Sequence, residues 1–390
     1  MKHKKEITIL AIETSCDDTG IAIIKAGLKG ARDFKVLSNI IAAQIEIHAK
    51  YGGVYPTLTR REHQNNLVPV LTKSLKEAKM LKTSTSNKTK TEKLEKILEK
   101  EKDLKEKLLP FLKKYDKPKI DAIAITTGPG LEPCLWVGVN FAKALACAWE
   151  LPVISVNHIK AHMFVNQLVE KELTKKDFPV LALIVSGGHT QLILMKDFGR
   201  YKILGETRDD AAGECFDKTA RILGLGYPGG PIISKLAKKS GRKFGIKLPR
   251  PMINTKDYDF SFSGLKTSVL YEHLKKSAKT KKDKAYINEM CFEIQQAIID
   301  VLIKKTLKAG MDYKVKTIIL GGGVTANSEL RKQFIENCRL KIKNCNLLIP
   351  PKDLCTDNGL MVAIAGHFRA MNNKFERWQD IEVNANLRVE

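Results

Sequence analysis

The feature that most restricts the fold of this chain is a pattern that occurs twice, about 170 residues apart. Residues 7–24 (ITILAIETSCDDTGIAII) and residues 180–195 (VLALIVSGGHTQLILM) each contain two apolar, β-rich runs joined by a turn of small and polar residues. Such runs predict a β-hairpin. Two of them predict two similar α/β halves, whose turns would lie on either side of a shared cleft that could hold a phosphate compound.

Two further stretches support α/β halves. Residues 316–334 (KTIILGGGVTANSELRKQF) predict a buried strand, a glycine turn and a helix capped by Asn327 or Ser328. Glycines in such a turn let a backbone approach a ligand closely, with helix N–H groups behind it. Between the halves, residues 121–156 predict a strand, a Gly/Pro turn, a buried helix over about 133–149 and a second strand.

A length of 390 residues favours two domains over one. We therefore expect a first lobe over residues 1–178 and a second over residues 179–390, with the C-terminal helix packing back on the first.

The stretch 73–119 departs from this pattern because it is rich in lysine. Its first part is low in apolar residues, which predicts a loose or disordered loop. Its second part predicts a surface amphipathic helix, with an apolar stripe formed by Leu94, Ile97, Leu98, Leu104, Leu108 and Leu112. A second lysine-rich run, residues 275–284, is predicted to join two helices. Either run is a solvated face or a contact with nucleic acid.

Composition limits the class of protein. A net charge of +24 favours an anionic partner such as nucleic acid, although a lysine-rich composition alone can produce it. The eight cysteines have neither zinc-site nor disulfide-framework spacing, which is typical of reduced thiols in the cytoplasm. No stretch approaches the roughly 20 apolar residues of a membrane span, and the N-terminus predicts a strand, not a signal peptide.

The strongest local indication of chemistry is the pair His158 and His162, in NHIKAH. On a helix this spacing places both imidazoles on one face, where they could hold one metal ion. Asp357, in CTDNG, is the matching acidic candidate, although an Asp before an apolar helix is also an ordinary helix cap. Two imidazoles and one carboxylate with open positions suit Fe(II) or Zn(II).

Two other segments are candidates for binding an anion. The turn SGGHT (186–190) can cradle a phosphate or carboxylate with its backbone N–H groups. Downstream, Asp217 could accept hydrogen bonds from a ribose or an amino group, near the turn Gly229–Gly230. The alternative for Asp217 is a structural pair with Lys218 or Arg221.

Taken together, the motifs of this chain resemble those of the tRNA N6-adenosine threonylcarbamoyltransferases, formerly described as O-sialoglycoprotein endopeptidases, most closely those of the bacterial or organellar type. The matching stretches run in order along the chain, and they are ETSCDDTG, YGGVYPTLTRREH, TTGPGL, VGVNFAKALA, NHIKAH, VSGGHTQL, DDAAGECFDKTARILGLGYPGGP, FSFSGLKT, GGGVTAN and CTDNG. The stretch 73–119 and the last dozen residues lie outside the resemblance. Cys134 stands where the family usually has a small or hydroxyl residue.

The resemblance implies the two-lobed actin-like fold of Hsp70 and sugar kinases, with a central cleft. It implies metal ligands at His158, His162 and Asp357, and one divalent ion per chain, with Fe(II) favoured over Zn(II). Its nucleotide-binding positions fall on Val185, Ser186, Gly187, Gly188, His189, Asp217, Gly230 and Asn327. The implied partners are tRNA, threonylcarbamoyl-adenylate, a paralogous actin-like subunit and a P-loop ATPase.

The implied reaction transfers a threonylcarbamoyl group from the adenylate to N6 of adenosine 37, in tRNAs that read codons beginning with A, and releases AMP. Glu13 and Asp17, in the first turn, are candidates for a catalytic base. The alternatives are an ATP-dependent kinase or ATPase of the same fold, a metalloprotease and a non-catalytic scaffold. A zinc protease needs HExxH, but Ile159 follows His158.

Overall fold

The computed structural model describes residues 5–28, 34–84, 91–168 and 173–389. These residues cluster into two units. Unit 1 comprises the described residues within Met1–Glu46, Val54–Leu168 and Asp357–Arg388, and unit 2 those within Ile47–Gly53, Val169–Thr356 and Val389–Glu390. These bounds differ from a division at residue 178, in part because the carbonyl of Asp177 accepts a hydrogen bond from Thr317 Oγ1 in unit 2 at 3.0 Å.

Unit 1 is built on a five-stranded mixed sheet with the order β3-β2-β1-β4-β5. Its strands are β1 (Glu6–Glu13), β2 (Asp18–Gly27), β3 (Lys35–Ala43), β4 (Ala122–Gly128) and β5 (Val153–Asn157). The first three strands pair antiparallel, whereas β4 pairs parallel to β1 and β5 parallel to β4. The predicted hairpin of residues 7–24 is therefore β1 and β2.

Unit 2 repeats this arrangement with the order β10-β9-β6-β7-β8. Its strands are β6 (Val180–Val185), β7 (Thr190–Asp197), β8 (Arg200–Glu206), β9 (Thr317–Gly321) and β10 (Asn346–Leu348). Here too β6, β7 and β8 form an antiparallel meander. Strand β9 pairs parallel to β6, and β10 pairs parallel to β9. The doubled α/β architecture predicted from the repeated hairpin is confirmed.

Helices cover both sheets. In unit 1 they are α2 (Pro56–Glu77), α3 (Thr91–Ile97), α4 (Lys102–Lys114), α5 (Glu132–Trp149), α6 (His158–Phe164) and α13 (Gly359–Met371), and α1 (Ile45–Ala49) contains the boundary at residue 46. In unit 2 they are α7 (Ala212–Ile222), α8 (Gly229–Ala237), α9 (Ser263–Leu274), α10 (Ala278–Lys281), α11 (Lys284–Asp312) and α12 (Ser328–Lys341). Short 3-10 turns cover Val165–Leu168, Lys175–Asp177, Gly323–Ala326, Lys352–Leu354 and Trp378–Asp380. No helix in the described part of the chain is long and apolar enough to cross a bilayer.

The beginning of α13 lies directly against β2. A Cβ atom on Gly20 would lie 2.6 Å from the backbone nitrogen of Gly359, and one on Gly359 would lie 2.4 Å from that of Ala22. Only glycine permits so close an approach of two backbones. This contact fixes the position of the residues that immediately precede α13.

Three helices contain most of the described residues of the lysine-rich stretch 73–119. Residues 73–77 complete α2. The predicted apolar stripe lies on two helices, α3 and α4, and on Leu98 in the turn that follows α3, not on one helix. Leu94, Leu98, Leu104 and Leu108 are fully buried in the core of unit 1. Residues 85–90, within the predicted loose loop, lie outside the described residues. The stretch is thus largely part of the unit's framework.

We expect Leu108→Ala to destabilise the chain by about 2–5 kcal/mol, because it removes buried methyl groups and leaves a cavity between α4 and its neighbours. The matched control is Glu106→Ala, at an exposed position of the same helix, for which we expect less than about 0.5 kcal/mol. Chemical denaturation followed by circular dichroism measures both. Equal effects of the two substitutions would show that α4 is not part of the core.

Candidate functional site

The two histidines of NHIKAH lie on one short helix at the end of a sheet strand. Strand β5 ends at Asn157, whose side chain caps α6 by accepting a hydrogen bond from the Lys160 N–H at 3.1 Å. His158 and His162 are both buried, and their ring centroids lie 4.7 Å apart. The predicted placement of both imidazoles on one helix face is confirmed.

Asp357 reaches the same place from the other end of the chain. Its Oδ1 lies 3.1 Å from His162 Nε2 and 3.7 Å from His158 Nε2. The capping role considered for Asp357 belongs to its neighbour, since Asn358 accepts the N–H of Met361 at 3.0 Å. The three candidate ligand atoms all lie within 4.8 Å of one another.

A carboxylate and a hydroxyl lie behind His158. His158 Nδ1 lies 3.0 Å from Ser15 Oγ and 3.3 Å from Glu13 Oε2, on the opposite side of the ring from the nitrogen that faces Asp357. Such an arrangement orients a metal-binding imidazole and increases its basicity. Burial lowers the pKa of His158, but the negative charges of Asp357 and Glu13 outweigh it and raise the pKa to about 9.

Glu13 has no exposed surface. Its Oε1 accepts the Ser15 N–H at 2.6 Å, and its Oε2 accepts the Thr126 hydroxyl at 2.7 Å. A carboxylate with both oxygens engaged inside the unit suits the orientation of His158 better than the abstraction of a proton from a substrate.

Two aspartates of the β1–β2 turn complete an acidic environment. Burial, together with the negative charges of Asp357, Asp17 and Glu13, raises the pKa of Asp18 to about 8. Within the described residues, Asp18 Oδ1 is buried without a hydrogen-bond partner. Sequence reasoning missed Asp18 and Ser15, although both lie in the same short motif as Asp17, and the paired aspartates were a visible indication.

These observations fit a divalent cation at His158, His162 and Asp357. The donor set is two imidazole nitrogens and one carboxylate, and an outer carboxylate orients the first imidazole. Burial and, after it, the neighbouring carboxylates raise the pKa of Asp18, and a cation would offset the repulsion among these carboxylates.

The predicted anion-binding turn lies in unit 2, at the end of β6. It is closed by a hydrogen bond from Ser186 N to His189 O at 2.8 Å and by one from His189 N to Ser186 Oγ at 3.1 Å. Gly187 and Gly188 are exposed, and a Cβ on either would meet no atom within 4 Å. Packing therefore does not require glycine at these two positions. Close approach of a ligand to the backbone would require it.

The base of this turn is held by two other loops. Gly213 N donates to Ser186 O at 3.1 Å, so that α7 begins against the turn. Gly322, at φ +89, comes so close to strand β6 that a Cβ there would lie 2.4 Å from the carbonyl oxygen of Val185. The glycine turn after β9 and the turn after β6 are therefore in contact, as the parallel pairing of these strands requires.

Asp217 has a structural role at the start of α8. Its Oδ1 accepts the Gly229 N–H at 2.7 Å and thereby fixes the start of α8, next to Gly230. Lys218 pairs with Asp210 at 2.7 Å and with Glu214 at 2.8 Å. Arg221 donates to the carbonyl of Gly52.

Asn327 caps α12, as predicted. Its Oδ1 accepts the N–H groups of Glu329 and Leu330 at 2.9 and 3.1 Å, while its Nδ2 donates to Gln295 Oε1 at 2.9 Å. The Nδ2 group has a second N–H, which none of these bonds uses. A hydrogen bond from the Asn327 amide to a nucleotide would therefore use that N–H. All eight predicted nucleotide-binding residues lie in unit 2, and the three predicted metal ligands lie in unit 1.

Comparison with known proteins decides the family. The family model of the tRNA N6-adenosine threonylcarbamoyltransferases matches residues 35–86 and 106–364. The chain belongs to this family. It is 42% identical over 364 residues to the transferase of that name from Anoxybacillus flavithermus, covering 93% of this chain and 92% of the relative. A relative of the same name from a Sulfurihydrogenibium species is 41% identical over 386 residues, with 98% and 97% covered.

The two-unit architecture also resembles that of a solved structure. The crystal structure of full-length HypF, in a phosphate- and nucleotide-bound form, superposes with a TM-score of 0.52 at 12% identity. The superposition covers 94% of this chain but only 56% of that one, and it supports the fold alone.

The match to the transferase family also covers part of the stretch 73–119. Residues 73–86 and 106–119 lie within the matched ranges, so only residues 87–105 fall outside them. Abundant surface lysines in the stretch 73–119 obscure the apolar positions of α2 and α4, which pack into the core.

We expect Asp357→Asn to weaken the binding of a divalent ion by at least about 10-fold, since even an outer partner of a ligand contributes 10–100-fold. The matched control is Asp353→Asn, at an exposed position of the preceding 3-10 turn. Titration of metal-stripped protein with Fe(II) and Zn(II), followed by elemental analysis, measures the affinity. If both variants bind equally, Asp357 is not a ligand.

Glu13→Gln preserves the shape of the side chain but removes the charge behind His158. We expect metal affinity to fall by about 10-fold while the fold is retained. Glu132→Gln, at an exposed position early in α5, is the matched control. Unchanged metal affinity combined with lost activity would instead show that Glu13 acts on the substrate.

Proposed function

We propose that this chain transfers the threonylcarbamoyl group of threonylcarbamoyl-adenylate to N6 of adenosine 37 in tRNAs that read codons beginning with A, releasing AMP. Membership of the transferase family supports the reaction and its tRNA substrate. The observation that carries the proposal is the convergence of His158, His162 and Asp357, since a simple nucleotide-binding fold does not need this donor set.

His158, His162 and Asp357 would hold one divalent ion, which we propose to be Fe(II), with Zn(II) as the alternative. When bound, such an ion acts as a Lewis acid toward a carbonyl oxygen, where negative charge grows in the transition state. Glu13 and Ser15 orient His158 for this role.

The turns of unit 2 are proposed to bind the adenylate. Val185 to His189 present open backbone N–H groups at Gly187 and Gly188. The first turn of α8, fixed by Asp217, presents the N–H groups of a helix N-terminus at Gly230. Asn327 would contribute one amide N–H. These groups bind a phosphate without placing bulky side chains beside it.

Proton transfer requires a base near the attacking amine, because N6 loses a proton as the new C–N bond forms and AMP leaves. Of the two candidates, Glu13 is fully buried and engaged, whereas Asp17 is only half-buried. We propose Asp17 in that role. Since adenine N6 is a poor nucleophile, positioning of the two substrates is expected to contribute more than the base.

The kinase alternative is not favoured by the donor set. Mg²⁺ in kinases prefers oxygen ligands and retains waters, whereas two of the three donors here are imidazole nitrogens. A metalloprotease would need a glutamate where Ile159 stands. We further propose that the enzyme works in the cytoplasm, with a paralogous actin-like subunit and a P-loop ATPase.

We expect His158→Ala to abolish threonylcarbamoyl transfer while changing tRNA affinity by less than about 2-fold, because its imidazole is buried in unit 1. The measurement is incubation of the full chain and its partners with threonylcarbamoyl-adenylate and unmodified tRNA, followed by mass spectrometry of the nucleosides. His273→Ala, in unit 2 against Tyr286, is the control and should remain active.

The same assay separates the rival functions. A non-catalytic scaffold would support the reaction equally well with the His158→Ala chain, because binding alone would be needed. Full activity of that variant would therefore contradict both the metal role and the proposed catalysis.

A further inference from the structure

A basic concavity lies in unit 2, at the end of the sheet where the three parallel strands β6, β9 and β10 begin. Its volume is about 540 Å³, and five lysines line it: Lys176, Lys314, Lys316, Lys341 and Lys343. We call it the lysine cavity. Its remaining lining residues are apolar or neutral, and none is a carboxylate.

The sheet topology explains how lysines from separate segments meet there. Strands β6 and β10 both pair parallel to β9, with Val180 and Asn346 each opposite Thr317. The residues that precede these strands therefore lie side by side. Lys176 precedes β6, Lys314 and Lys316 precede β9, and Lys341 and Lys343 precede β10.

The five lysines are exposed, and within the described residues none of them makes an ion pair. Elsewhere in unit 2 lysines do pair, as Lys276 does with Glu272 at 2.7 Å. Among the described residues, two acids close in sequence to these lysines are engaged elsewhere. Asp177 is buried and accepts two hydrogen bonds from Thr174, and Asp312 accepts one from the Tyr258 hydroxyl at 2.7 Å.

Five uncompensated positive charges around one concavity repel one another and create a focused positive potential. That potential favours a ligand with several negative charges at intervals. Lysine contacts phosphate as a point charge on a flexible stem, whereas a built site for a small anion would show buried donors or an arginine fork. The exposed rim of lysines suits the phosphodiester backbone of a nucleic acid.

We infer that the lysine cavity binds backbone phosphates of the tRNA substrate and positions it without reading its sequence. This inference rests on the proposed function, because it takes tRNA as the polyanion that the chain must bind. The contact is separate from the turns proposed for the adenylate. Those turns follow β6 and β9, at the opposite end of the same strands.

The test compares two full-length variants with equal changes in net charge. The first carries Lys314→Gln, Lys316→Gln, Lys341→Gln and Lys343→Gln. The second carries Lys196→Gln, Lys202→Gln, Lys238→Gln and Lys239→Gln, at exposed positions of unit 2 that do not line the cavity. Binding of an unmodified tRNA transcript is measured by filter binding at several salt concentrations, and thermal unfolding checks that both variants fold.

For the cavity variant we expect Kd at about 0.1 M salt to rise at least 10-fold, and the slope of log K against log salt to fall by about 3, since each lost phosphate contact contributes roughly 0.7–0.9. For the control variant the slope should change by less than about 1. Equal effects in the two variants would overturn the inference, because net charge alone would then explain them.

Transfer activity distinguishes failure of this site from failure of the proposed function. With saturating tRNA the cavity variant should keep the kcat of the unsubstituted chain and show a raised KM for tRNA. If the unsubstituted chain and its partners modify no tRNA, the proposed function fails. If they modify tRNA and the cavity variant has an unchanged KM and Kd, the function stands and the lysine cavity is not a tRNA contact.

Discussion

The candidate metal centre depends on a backbone contact between β2 and α13. Gly20 and Gly359 allow the two elements to approach to a distance at which any Cβ atom would collide with the opposite backbone. The remainder of α13 is almost entirely buried in unit 1, so the contact is maintained by the burial of a largely apolar helix. Asp357 lies two positions before the first residue of that helix, and the contact places it beside His162, which lies 195 positions earlier in the chain.

Electrostatics at the centre are balanced by groups from several elements. The buried charge of Glu13 is compensated by the Ser15 N–H, the Thr126 hydroxyl and the His158 ring. A carboxylate without such partners would be costly to bury. The carboxylate of Asp18 is not compensated in this way, and burial and neighbouring negative charge raise its pKa to about 8. The site thus combines a well-satisfied outer carboxylate with an excess of negative charge around the proposed ligands, and both features favour a cation.

Much of the architecture could be predicted from the sequence, because hairpins are local. The runs flanking ETSCDDTG and SGGHT predict β1–β2 and β6–β7, and the repeat predicts that the two sheets share one topology. The histidine pair was equally accessible, since a spacing of four on a helix fixes one face. Asp357 could be named as the acidic candidate, but its assignment as a metal ligand rested on the family resemblance. No local rule states that α13 returns to the first sheet, and the contacts of Glu13 and Ser15 with His158 arise only when β1 and α6 are brought together.

The distribution of lysine shows why charge is harder to predict than topology. The run 275–284 is conspicuous in the sequence, yet Lys276 pairs with Glu272, and Lys281 donates to the carbonyl of Leu274 at 3.3 Å. Conversely, the lysines of the cavity are scattered over 168 positions of sequence, from Lys176 to Lys343 (343 − 176 + 1), and no short stretch of the chain contains them together.

These lysines meet because neighbouring parallel strands begin at the same end of a sheet. The glycine turns meet because the same strands finish at the other end. The order of strand pairing therefore brings dispersed residues together at both ends of the parallel strands. One end has open backbone N–H groups, and the other has exposed cationic side chains.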